Sequence, residues 1–135
     1  MNRTLLLAYQ LVTGVSDTFT GVMLCVAPAL TLRIMGAHAP PDALPYIGYI
    51  GAFVLSIGLA CLYGARIVRM GSSADRLESV WFLTALSRAA VALYLLPEIS
   101  IGNFQSAWMC VVLFDGSCAL IQAIGLRRGW LRNAR

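Results

Sequence analysis

Lysine is absent from this sequence of 135 residues, and histidine occurs once, at His38. Charged residues of any kind make up only 12% of the chain, where a soluble domain carries roughly 25%. So few charges cannot coat a water-facing surface, and with 59% of residues hydrophobic the composition favours lipid. Each scarcity excludes a chemistry. Without lysine there is no retinal-type Schiff base. A lone histidine in a loop cannot pair with a second to hold a haem between helices. No Ser/His/Asp set lies inside the apolar runs, and no His/Cys/carboxylate set has metal-ligand spacing. The four cysteines, Cys25, Cys61, Cys110 and Cys118, fall within apolar runs and form no C-x-x-C pair. They read as small buried apolar residues rather than a disulfide framework or a metal site. His38 with Asp42 reads as an ordinary loop pair. The expectation is a non-enzymatic protein with no catalytic residue, no metal and no cofactor.

What is present is a set of long apolar runs. A helix needs about 20 apolar residues to cross the hydrocarbon core, and four stretches qualify, at about 4–27, 46–65, 77–96 and 107–126. Pro28 stands near the end of the first, and Pro97 is expected to stop the third. Arg3 followed by Leu5, Leu6 and Leu7 has the opening of a signal peptide. Asp17 interrupts that run, however, and no clean small-x-small cleavage site follows, so the segment reads as the first membrane helix. The linkers are short: Gly36 to Pro45 with three prolines, Met70 to Asp75, and Pro97 to Ser106. The expected fold is one all-α domain over residues 1–135, an integral membrane four-helix bundle.

Its direction follows from arginine, which supplies every basic charge in a net +4. Arg3, then Arg66, Arg69 and Arg76, then Arg127, Arg128, Arg132 and Arg135 flank the runs on one side; only Arg33 flanks them on the other. The arginine-rich side is expected to be cytoplasmic, which puts both termini in the cytoplasm of a multi-pass protein of the cell inner membrane. Charge gathered at the ends of apolar runs is an orientation signal, not a nucleic-acid patch. Tyr46, Tyr49, Tyr94, Phe104 and Trp108 are expected at the outer interface, and Tyr9, Tyr63, Trp81 and Trp130 at the inner one.

The second run carries small residues at every fourth position: Gly48, Ala52, Ser56, Ala60 and Gly64. Such a stripe lets helix backbones approach closely in lipid, where packing replaces the hydrophobic drive. It is the expected helix-packing face.

Three charged residues lie deep within the runs: Asp17, Arg88 and Asp115. A buried charge costs about 2.5 to 3.5 kcal/mol at a helix centre, while an apolar residue returns only about 0.3 to 0.6 kcal/mol. Three unpaired charges would make insertion marginal. The three fall at similar depths, within a few ångströms at about 1.5 Å per residue, so an Asp17–Arg88–Asp115 cluster is expected inside the bundle. Gln10, Thr13, Ser56, Thr84, Ser87 and Gln122 are placed to form a polar seam running from it towards the cytoplasm. Two readings stay open: a structural ion cluster that fixes helix order, or a ligand or proton site. One Arg against two Asp leaves a formal excess of one carboxylate, a place for a proton.

The layout resembles the DoxX-like group of small bacterial four-helix membrane proteins. The resemblance rests on Ala27-Pro28 and Arg33-Ile34-Met35-Gly36, on Gly48, Gly51 and Gly58 in the second helix, on an Arg in the third, and on an acidic residue in the fourth followed by Gly125-Leu126. It spans most of the chain and implies a bundle, not a reaction; no catalytic residue carries over. Some such proteins accompany larger membrane or redox assemblies. Asp115-Gly116 matches the opening of the CDP-alcohol phosphotransferase motif, but the later residues of that motif are missing. Small multidrug transporters share four short helices and an acidic residue in the first; the Trp/Tyr-rich motifs of that group are missing here, and the arginine asymmetry fits a single orientation. The functional expectation is an accessory or scaffold subunit of a membrane assembly. Its partners would be membrane lipid and either other membrane subunits or further copies of the chain. The alternative is a small transporter or ligand- and proton-binding bundle that uses the charge cluster.

Overall fold

Nearly all of the chain is helical in the computed structural model, which describes residues 1–71 and 73–132. Among the described residues five helices follow one another: α1 (Arg3–Val26), α2 (Pro28–Met35), α3 (Leu44–Met70), α4 (Ala74–Ser100) and α5 (Met109–Arg127), with single 3-10 turns at Pro41–Ala43 and Ser106–Trp108. Ser72, in the expected Met70 to Asp75 linker, and Arg135, in the C-terminal arginine group, lie outside the described residues.

Local chemistry sets the boundaries. The Asn2 side chain accepts from the Leu5 N–H at 2.8 Å and caps the start of α1. Pro28 occupies the first turn of α2, where a missing N–H costs nothing. Gly36, at φ 78°, then ends α2 in a left-handed turn, and the Ala37 N–H returns to the Leu32 carbonyl at 2.8 Å. This short helix was not anticipated by the apolar runs. Nor does Pro97 stop the third long helix: α4 contains it and continues to Ser100. The missing N–H deprives one carbonyl of a partner a single turn from the helix end, and the Ile101 N–H still bonds the Pro97 carbonyl at 3.0 Å. The stop is made by Gly102, at φ 83°.

Among the described residues three stretches, Pro41–Met70, Ala74–Ser100 and Ser106–Arg127, are long and apolar enough to cross a membrane. The fourth expected span differs. With 24 residues α1 has the length, but Tyr9, Gln10, Thr13, Asp17, Thr18 and Thr20 dilute its apolar character. Those residues are turned inward instead: Gln10, Thr13 and Asp17 are buried. Large apolar side chains face out all along the helices, among them Val12, Phe19, Leu83, Leu93, Leu113 and Leu120. Apolar side chains thus cover the outside, while a set of polar residues lies buried among the apolar ones inside.

The helices pack as two antiparallel pairs, α1 with α3 and α4 with α5, joined through α3 and α4. Glycines set the α1–α3 distance. A Cβ on Gly51 would come within 2.7 Å of the Leu24 Cβ, and one on Gly14 within 2.8 Å of the Leu62 side chain; Gly21 and Gly58 lie against the backbones of Leu55 and Thr18. The packing face of α3 is therefore Gly51, Gly58 and Ala65, at a spacing of seven, rather than the expected stripe at a spacing of four. Of that stripe Gly64 is buried, Gly48 and Ala60 are half-buried, and Ala52 and Ser56 are exposed. The reason is geometric: contact repeats every seven residues between helices that run nearly alongside each other. A four-residue repeat drifts around the helix and off the contact.

The start of α1, the segment after α5 up to Arg132, the end of α3 and the start of α4 share one end of the bundle. Arg3 donates to the carbonyls of Val68 and Arg69 at 3.2 and 3.0 Å, and Arg132 donates to Glu78 at 2.8 and 3.1 Å. At the other end Gln105 exchanges hydrogen bonds with the backbone of His38, at 2.9 and 2.8 Å. An apolar cluster closes each end: Leu6, Ile67, Val68, Leu77, Trp81 and Leu131 near the termini, and Ala92, Leu95 and Val112 at the opposite side. Trp81, expected at the headgroup level, is fully buried in the first cluster. Gly125 makes this possible, since a Cβ there would strike the indole ring.

Candidate functional site

Between the two apolar clusters lies a layer of polar side chains contributed by α1, α4 and α5. Its centre is Arg88, on α4, with 2% of its surface exposed. The guanidinium donates from Nη1 to Asp115 Oδ1 on α5 at 2.6 Å, and from Nη2 to Asp17 Oδ2 on α1. The Asp17 and Asp115 side chains are 10% and 17% exposed. The Phe114 ring lies 5.3 Å from the guanidinium carbon, within cation–π range. One side chain thus joins three helices and bridges both helix pairs. Charged hydrogen bonds of this kind are roughly twice as strong as neutral ones, and they operate here in surroundings of low dielectric. The Arg88 Nε–H is buried without a partner.

Below the cluster, towards the termini, the seam is only part of what the sequence suggested. Gln10, Thr13, Thr84 and Gln122 are all buried in it. Gln122 Nε2 donates to Thr84 Oγ1 at 2.7 Å; Thr84 Oγ1 donates to the Val80 carbonyl at 2.8 Å, and Thr13 Oγ1 to that of Tyr9 at 2.8 Å. Ser56 and Ser87 do not belong. Both are exposed, and their hydroxyls donate to carbonyls of their own helices, those of Phe53 and Leu83. A serine that satisfies itself on the preceding turn needs no partner across the bundle, which is why helix position alone misplaced these two.

Tyr9, Trp81, Cys61 and Cys118 also border the layer, in places other than the interface or plain apolar positions expected of them. Tyr9, expected at an interface, is half-buried, stacks near Trp81 at 5.3 Å between ring centroids, and donates its hydroxyl to the Cys118 carbonyl at 3.3 Å. Cys61 and Cys118 are buried beside it. The Trp81 indole N–H, both polar atoms of Gln10 and Gln122 Oε1 have no hydrogen-bond partner. For Tyr9 and Trp81 the signal in the sequence was faint, since an aromatic residue with one polar atom near the end of an apolar run suits the headgroup level as well as the core.

Among the described residues no group of three His, Cys, Asp or Glu side chains could hold a metal ion. The chemistry available at the centre is ion pairing and hydrogen bonding. Compared with known protein families, with curated proteins and with solved structures, the chain shows no match.

Proposed function

We propose that this chain is a small multi-pass protein of the bacterial inner membrane, four helices crossing and both termini cytoplasmic, that serves as a non-enzymatic accessory or scaffold subunit of a membrane assembly. We include in that reading the resemblance to the DoxX-like group. The observation that carries it is the Arg88 bridge: a single buried guanidinium, bonded to carboxylates from two other helices, locks the order and rotation of α1, α4 and α5. A scaffold needs such compensated polar groups inside and apolar surfaces outside for lipid and neighbours. α1 enters the membrane despite its polar residues because those residues turn into the bundle. Substrate sites in transporters often lie at helices broken near the midplane; here the chain breaks at Pro28 and near Gly102, at helix ends. The test is reconstitution. Purified protein in liposomes should show no proton-coupled flux, and Asp17→Asn should alter stability or assembly rather than transport.

A transporter or proton-binding bundle remains the second reading, favoured by one observation: Gln10 is fully buried with both polar atoms unpartnered, a costly arrangement that a passing ligand or water would relieve. Substrate-driven proton movement that Asp17→Asn abolishes in a folded protein would promote it.

A further inference from the structure

At the arginine-rich end, the contact between α1 and α3 opens outward into a groove of about 280 Å³, lined by Leu7, Leu11, Leu62, Ala65, Arg66 and Arg69. Its composition is graded along the helices. Leu62 and Leu11 lie deeper in the bundle, and Arg66 and Arg69 stand one turn closer to the end. Ala65 is buried and, being small, leaves room above it between the larger leucines. A second groove of about 230 Å³ borders the first at Arg66, and is lined by Tyr63, Arg66, Ile67, Met70 and Arg76.

These arginines are uncommitted. Among the described residues the ion pairs are those of Arg88 and Arg132; Arg66, Arg69 and Arg76 have no carboxylate partner. Nor do Arg66 and Arg69 serve to cap their own helix. Arg3 does that, donating to the Val68 and Arg69 carbonyls and countering the negative end of the α3 dipole. The result is a cationic rim, facing outward, at the head of an apolar trough.

We propose that this groove binds an anionic phospholipid of the cytoplasmic leaflet, one acyl chain lying along Leu7, Leu11 and Leu62, the phosphate held between Arg66 and Arg69, and the rest of the headgroup lodged in the second groove beside Arg76. Guanidinium groups match phosphate geometry, and basic pockets between helices on the cytoplasmic side suit anionic headgroups. The apolar floor makes the occupant a lipid rather than a free anion, because an anion alone would leave the leucine walls unused. The site rests on the membrane reading above, but not on the scaffold role.

Two measurements separate this proposal from that reading. Flotation of the protein with phosphatidylcholine vesicles tests membrane residence alone. Native mass spectrometry of protein released from mixed phosphatidylglycerol and phosphatidylcholine nanodiscs tests the site. Wild type should retain one phosphatidylglycerol per chain. The double variant Arg66→Gln/Arg69→Gln should lose about tenfold in retention, and so should Leu11→Trp, which fills the trough and leaves every charge in place. Arg127→Gln/Arg128→Gln removes the same charge elsewhere at this end and should retain lipid as wild type does. All these positions except Arg66 and Arg69 are off the proposed phosphate contact, and all but Leu11 are exposed arginines, so melting temperatures should stay close to wild type. Equal retention of the two lipids by wild type would overturn the proposal. So would equal loss in the two arginine pairs, or displacement of the lipid by glycerol phosphate at matched concentration, which would make the rim a plain anion site.

Discussion

Gly58 on α3 lies so close to Asp17 on α1 that a Cβ at position 58 would come within 2.9 Å of the Asp17 carbonyl carbon. One of the close approaches of the two backbones therefore falls beside the residue whose carboxylate meets Arg88. A glycine on one helix fixes how far an ionised group on another projects into the bundle.

Gly58→Ala should consequently be felt twice, in packing and at the ion bridge. Over-packing a tight contact costs about 1 to 3 kcal/mol, and a lower melting temperature in detergent should show it. Ala52→Leu, on the exposed side of the same helix, should change stability by less than about 0.5 kcal/mol. Similar losses in both variants would place the α1–α3 contact on another face of α3.

Arg88→Leu should be the most damaging single change. It leaves two carboxylates without a partner, and breaking a buried ion pair from one side costs about 3 to 5 kcal/mol. Replacing Asp17, Arg88 and Asp115 together by apolar residues should recover much of the stability. Unchanged thermal unfolding in Arg88→Leu would rule out a bridge formed in the membrane.

Gln10→Met tests whether the unpartnered amide is a burden or a tool. An unsatisfied buried polar group costs about 1 to 3 kcal/mol, and methionine fills nearly the same volume against Gly64, which the Gln10 side chain touches. The variant should melt higher than wild type by the equivalent of about 1 kcal/mol. A lower melting point would show that Gln10 has a partner in the membrane, a water molecule or a ligand.

Topology can be read by labelling. In a variant lacking the four native cysteines, a cysteine introduced in the Pro40–Asp42 loop or at Asn103 should react with an impermeant reagent added to intact cells. One introduced beside Arg3 or Arg132 should not. Reaction at either terminus from outside would reverse the orientation drawn from the arginines.

The sequence by itself determined the helices and the company of the charges. Apolar runs of about 20 residues have few alternatives to helix once the backbone must bond itself; their ends were less legible, since α4 passes through Pro97 to Ser100 and the short α2 ends at Gly36. Asp17, Arg88 and Asp115 ask for one another on energy alone, because a lone charge at that depth costs more than several apolar residues return. What the sequence left open was rotation. α3 is apolar nearly all round, so nothing in it distinguishes the Gly51–Gly58 face from the Ala52–Ser56 face. That choice was made by Gly14 and Gly21 on another helix, whose seven-residue spacing matches only the first. The same holds for Trp81, whose ring lies in the core because Gly125 leaves it room, and for Ser56 and Ser87, whose hydroxyls close on their own helices. Apolar and small residues settle what kind of element forms; which faces meet depends on steric fit between segments far apart in the chain, and that fit exists only in the folded bundle.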